Sequence, residues 1–247
     1  MTIRNKKTEE CPAASEQSYA SGTVKKLKLQ NVTLAALACT CVNETVKALK
    51  YSTKDIVFED AVLVSHIKPD DLPANIRFEY TSQNKTIDEF NYKMIYEMHK
   101  FIHTDFMLLI HYDGFVINPQ SWRNDFLDYD YVGAPWPKNK RLLDANGNIC
   151  RVGNSVSLRS KKLMELPSKL NLPFESLDFE PYKNMTNEDL IICVKNRHIF
   201  EKNTMRFAPL EVAKYFSHEA NIAEIQGIKP FAFHDYFGEN KNNKKLI

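Results

Sequence analysis

Five apolar residues, Phe106-Met-Leu-Leu-Ile110, run without interruption into His111-Tyr-Asp113-Gly114. A short apolar run that stops at a turn signal reads as a strand buried on both faces, as parallel strands are. Such a strand needs helices on both sides of its sheet, which commits the chain to an α/β architecture. Polar side chains just past the carboxyl end of a parallel strand lie where open α/β sheets bind their ligands. An imidazole and a carboxylate at that point suit a divalent cation, which in turn holds phosphates. From these nine residues alone, a core strand followed by an Asp-Gly turn is the better reading.

The flanking sequence repeats the pattern. Residues 32–40 read as a first strand, 43–50 as a helix, 56–65 as a second strand around Ala61-Val-Leu-Val-Ser65, and 76–82 as a weaker third. Thr86-x-x-Glu89 is a capping box. It opens a helix whose apolar residues Ile87, Phe90, Met94, Ile95, Met98 and Phe101 recur at helical spacing. This βαβ rhythm predicts a Rossmann-like, mostly parallel central sheet flanked by helices. The second half is less regular: short strands near 129–132 and 152–159, and helices over 187–203 and 209–216, give an irregular α+β part. Residues 1–29, polar and aperiodic, read as a disordered leader, 30–237 as a single domain, and 238–247 as a flexible basic tail.

Composition excludes more than it selects. The 33 basic residues nearly cancel the 31 acidic ones, and the net charge of +2 argues against a protein that coats nucleic acid. The longest apolar run, residues 32–41, is too short to span a membrane. No secretory signal is visible at the start. The five cysteines form no regular framework, which favours reduced thiols and a cytoplasmic setting.

Several side chains are equipped for chemistry, each with a plainer alternative. In Asp128-Tyr-Asp130, residues two apart on a strand share a face, so both carboxylates could meet one cation; the alternative is a polar strand edge entering a turn. Thr186-x-x-Asp189, with Glu188 beside it, fits a helix cap and a favourable first-turn charge. A carboxylate there also suits a general base. Arg159, Lys161 and Lys162 either neutralise phosphate or solvate a helix start. His234, after Phe231-Ala-Phe233, is by itself an ordinary strand-end histidine.

Longer motifs carry a resemblance. Asp113-Gly-Phe-Val-Ile-Asn-Pro119, Trp122, Phe126-Leu-Asp-Tyr-Asp-Tyr-Val-Gly-Ala-Pro-Trp136, Val152-Gly-Asn154, Ser157-Leu-Arg-Ser160, Asn187-Glu-Asp189, Phe207-Ala-Pro-Leu-Glu211 and Phe231-Ala-Phe-His234 occur in this order. Over residues 30–237 the chain resembles a family of domains of unknown function that is itself similar to GT-A-type glycosyltransferases. The resemblance implies a GT-A-like fold and sugar transfer from a nucleotide-diphospho-sugar donor to a carbohydrate or other hydroxyl acceptor. It implies a divalent cation, Mn2+ or Mg2+, on Asp113 and His234, offsetting charge on the departing diphosphate. It places His111, Asp113, Gly114, Asp130, Trp136, Asn154 and Arg159 at the donor and sugar, with Trp136 as a stacking platform. Asp189 matches the general base of inverting enzymes, with Glu188 supporting or substituting.

Two departures stand out. The family carries Gln more often than His at position 111, and a glycine-rich turn where this chain has Gly153-Asn-Ser-Val-Ser157. Both favour a rival expectation, a non-catalytic carbohydrate- or nucleotide-binding module that kept the fold. A nucleotidyltransferase would want a glycine-rich basic signature near the first strand, and Leu34-Ala-Ala-Leu-Ala38 has none.

Overall fold

The structure is a computed structural model describing residues 26–247. The chain runs β1 (Leu27–Ala38), α1 (Val42–Ser52), β2 (Ile56–Ser65), β3 (Arg77–Tyr80), α2 (Ile87–Tyr96), β4 (Phe106–Leu109), β5 (Tyr131–Pro135), β6 (Val152–Ser160) and α3 (Lys161–Lys169). It continues through α4 (Glu188–Leu190), a π-helical turn (Ile191–Lys195), α5 (Arg197–Lys202), α6 (Leu210–Phe216), β7 (Ser217–His218) and β8 (Ala232–Phe233).

Six strands form the central sheet in the order β3-β2-β1-β4-β6-β5. The first four are parallel and β6 is antiparallel to both neighbours. This is a mixed α/β sheet flanked by helices, as the apolar strand runs require. From Val32 to the end of β1, and from Met107 to the end of β4, every side chain is buried, Val32, Leu34, Ala35, Ala36, Met107, Leu108 and Leu109 completely. Both faces are therefore covered.

The differences from the sequence expectation are local. Residues 1–25 of the expected leader lie outside the described residues, but Leu27 to Leu29 belong to β1 and pair with Ile56 to Phe58. Residues 238–247, expected as a flexible tail, form 3-10 turns over Gly238–Leu246, and Ile247 packs on the core. The helix expected over 187–203 is broken into α4, the π turn and α5. Among the described residues no helix is long and apolar enough to cross a membrane. Cys39, Cys41, Cys150 and Cys193 are free thiols.

Segment 153–157, where the family carries a glycine-rich turn, lies within β6, the strand expected near 152–159, and β6 carries an irregularity in its pairing with β5. Asn154 adopts φ 96°, a backbone region that favours glycine. Its own Oδ1 accepts from Val156 N at 2.9 Å and stabilises the kink. Gly153 lies against the Trp136 ring, whose atoms come within 2.0 Å of where a Cβ would stand. Gly153→Ala should therefore cost about 3 kcal/mol, the upper end for overpacking a core. A urea midpoint equal to wild type would show that Trp136 can move aside.

Candidate functional site

The site is built where β4 ends. Ile110 N still donates to Ala35 O at 2.9 Å, extending the pairing with β1. The chain then closes a tight turn: His111 N donates to Gly114 O at 2.7 Å and Gly114 N to His111 O at 3.2 Å. That turn projects Asp113 beyond the carboxyl edge of the parallel strands.

A distant segment is laid alongside it. Phe233 N donates to Phe115 O, Asp235 N to Asp113 O at 2.8 Å, and Tyr236 Oη to Tyr112 O at 2.8 Å. Val116 bridges Ala232 in the same ladder. Gly114 permits the close approach. A Cβ there would stand 2.5 Å from Val156 Cγ2, 2.8 Å from the His234 ring and 2.9 Å from Phe233 O. The consequence is that His234 Nε2 faces Asp113 Oδ1 at 3.8 Å, and both side chains remain partly open to solvent.

Further groups converge on this pair. His234 Nδ1 contacts Glu219 Oε1 at 3.3 Å. The His111 ring centroid lies 5.7 Å from that of His234. Asp189 belongs to α4, and its Oδ2 accepts from Asn154 N at 3.0 Å. Thr186 does not cap this helix. Asn187 does, accepting from Leu190 N at 3.0 Å, while Thr186 is tied to Asp88 and Asn91 of α2.

Charge is distributed unevenly over these groups. Burial holds the His111 pKa down to about 3, aided by positive His234 and Arg159, so His111 is neutral and its enclosed Nε2 lacks a protein partner. Burial also lowers His234, but Glu219, Asp113 and Asp189 outweigh it and the net shift is upward. Glu219 is pushed up by burial and pulled further down by His234, so it is ionised at neutral pH. Burial, then neighbouring Glu188 and Glu219, raise Asp189 to about 7 against the opposing pull of Arg159 and His234.

Four expected site residues are structural. Arg159 is buried and its Nη2 donates to both oxygens of buried Glu188 at 3.0 and 3.1 Å, so neither is free for phosphate or for proton transfer. Asp130 is buried, accepting from Ser160 Oγ at 2.6 Å and Arg206 N at 2.8 Å, whereas Asp128 is exposed; the two carboxylates do not converge. Trp136 is 2% exposed and packed on Gly153, a core position with no open ring face for a sugar. His111, Asp113, Gly114, Asn154, Asp189 and His234 do come together. Glu219 was missed: nothing in Ser217-His-Glu219 marks it, and only the β7–β8 pairing carries it to His234.

Beside the cluster is a cavity of about 360 Å³ at the carboxyl ends of β1 and β4, lined by Leu37, Cys39, Thr45, Asn84, Phe90 and His111. Both polar atoms of the Asn84 amide lack a protein partner. Among the described residues no three His, Cys, Asp or Glu side chains are grouped to enclose a metal ion. Two, Asp113 and His234, face each other. One carboxylate and one imidazole suit a divalent cation that accepts both oxygen and nitrogen ligands, Mn2+ better than Mg2+, with water and substrate phosphate completing its shell.

One family profile, described as a protein of unknown function (DUF5672), matches residues 74–234. No curated protein matches the chain. Among solved structures, a glycosyltransferase involved in the glycosylation of the major capsid of PBCV-1 is similar with 11% identity and TM-score 0.47, over 87% of this chain and 97% of its own. The apo-form glycosyltransferase GlyE of Streptococcus pneumoniae TIGR4 is similar with 12% identity and TM-score 0.45, over 85% of this chain and 55% of its own.

The raised Asp189 pKa has a consequence for stability. The unfolded chain loses this proton near 3.8 and the folded chain near 7, so Asp189 favours folding less and less as pH rises between those values. At about 1.4 kcal/mol per unit the loss approaches about 4 kcal/mol. Asp189→Asn, neutral throughout, should gain on wild type by a few kcal/mol from pH 4 to pH 7.5 in denaturant titrations. A constant difference would show that the carboxyl group is not raised.

Proposed function

The chain belongs to the DUF5672 family, and on that premise we propose that it is a glycosyltransferase moving a sugar from a nucleotide-diphospho-sugar to an acceptor hydroxyl. One observation carries the reading: Asp113 and His234 face each other beyond the parallel strands, beside a ligand-sized cavity and within electrostatic reach of Asp189. The apolar cavity with its unpartnered amide suits a nucleoside. The acidic cluster of Asp113, Glu219 and Asp189 outnumbers its one cationic member, His234, and so favours a cation. Arg159 gives no relief because Glu188 neutralises it.

In this reading Asp113 and His234 would hold a divalent cation, Mn2+ or Mg2+, which when bound would offset the negative charge that develops on the leaving diphosphate. Asp189 takes the proton of the acceptor hydroxyl. The new bond forms from that oxygen to the anomeric carbon as the bond to the diphosphate breaks, and the nucleoside diphosphate leaves with the electron pair. A single displacement of this kind inverts the anomeric centre. A buried carboxyl with a pKa near 7 is suited to proton transfer at neutral pH. The free thiols fit a reducing, cytoplasmic setting.

A second reading is favoured by one detail. Both Asp189 oxygens already accept from backbone N–H groups, of Asn154 and Leu190. A carboxylate satisfied in this way also suits a binding module that performs no transfer.

The two separate on donor binding and turnover. Thermal unfolding across a panel of nucleotide-diphospho-sugars with Mn2+ should show one donor raising Tm by several degrees, about 2.7 kcal/mol at a hundredfold excess over Kd. Asp113→Ala should abolish the shift. Asp189→Asn should keep it and slow transfer by about 10²- to 10⁴-fold. Donor binding with no transfer in wild type, to a panel of carbohydrate acceptors, would select the binding module.

A further inference from the structure

Glu219 takes no part in the reaction described above, yet it is held against one of its central groups. His234 N donates to His218 O at 2.9 Å, and β7 runs parallel to β8. Asn240 Nδ2 donates to the carbonyl oxygens of both His218 and His234, at 3.1 and 3.3 Å, which fixes the two backbones together. From that anchored position the Glu219 carboxyl reaches the His234 ring at Nδ1.

We propose that Glu219 is a positioning residue that fixes the tautomer and orientation of His234, so that its Nε2 lone pair is presented beside Asp113 as a cation ligand. The inference rests on the reading of Asp113 and His234 as the cation pair. The logic is that of hydrogen-bond inventory. An ionised carboxylate has lone pairs and no hydrogen, so the ring nitrogen touching it must carry the proton. Nδ1–H therefore donates to Glu219 Oε1, and in the neutral ring Nε2 is left bare. Nε2 faces Asp113 Oδ1 across 3.8 Å, and a cation shared by the two would take the place of the Nε2 proton while Nδ1–H stays on Glu219. Histidines that ligate metals commonly donate their other N–H to a carboxylate, which sets the tautomer and strengthens the ligand. The opposite tautomer would place Nδ1 lone pair against carboxylate, a repulsive contact in a partly dehydrated site.

The test measures the ring and the cation separately, using the full chain. Nitrogen-15 NMR of the histidine rings should show the wild-type His234 protonated at Nδ1 in its neutral form, and Glu219→Ala should lose that preference. Mn2+ titrated in the presence of UDP or GDP, followed by the electron paramagnetic resonance of the free ion, should bind Glu219→Ala roughly tenfold to a hundredfold more weakly. Glu219→Gln, whose amide carbonyl still accepts from Nδ1–H, should recover part of the loss. Thermal unfolding controls for folding, and Glu219→Gln serves if the alanine variant does not fold. Wild-type Mn2+ affinity in a folded Glu219→Ala, or a neutral wild-type ring whose single proton sits on Nε2, would overturn the role of Glu219 alone. A wild-type protein that binds no Mn2+ would overturn the cation reading itself, and the proposed role with it.

Discussion

The buried ion pair of Arg159 and Glu188 is the constraint on which the candidate site depends. Both side chains are almost fully excluded from water, where removing either partner would leave an uncompensated charge at a cost of about 3–5 kcal/mol. The guanidinium sits over the Tyr131 ring and donates through Nε to Ser157 Oγ, so its position is set from three directions. The pair ties the carboxyl end of β6 to the first turn of α4. It also decides which of two adjacent acids keeps its freedom to exchange a proton. Glu188 is neutralised by its partner, and Asp189, one residue on, is left with only backbone N–H groups and the residual field of the cluster.

The other half of the site depends on backbone pairing. The turn after β4 presents Asp113, and the strand-like segment around β8 is hydrogen-bonded to it over several residues. Because Gly114 has no side chain, the two backbones approach closely enough for His234 to stand over the turn. The cavity beside them is bounded by α1 and α2, whose amphipathic faces bury Val46, Leu49, Met94 and Ile95 against the sheet. Rigid elements thus hold each group, and the chemistry sits at the loops that join them.

The sheet was legible because a strand covered on both faces must be apolar throughout, and the runs in β1, β2 and β4 satisfy this. The broken helix after Asn187 was not legible, since its apolar spacing continues through the π turn. For the site, motif positions identified Asp113, Asp189 and His234 as chemically capable, and the fold gathers them. The same reasoning misplaced Asp130, Trp136 and Arg159. Residue type reports what a group can do, but whether it faces a ligand or the core depends on cross-strand partners such as Ser160, Gly153 and Glu188. Glu219 was invisible because its role comes from a two-residue strand pairing that leaves no periodic trace.

Tyr112 and Tyr236, joined by a hydrogen bond, are 124 residues apart in the chain. Closing a loop of that length is entropically costly and contributes nothing locally until the intervening sheet has formed. The Asp113–His234 pair therefore cannot exist in a partly folded chain that has only its first four strands. Any ligand that needs both halves binds the finished molecule alone, and so makes this sequence-distant junction resistant to local opening. Protection of the amides of Phe233 and Asp235 against hydrogen exchange would then act as a gauge of occupancy, readable without following any reaction.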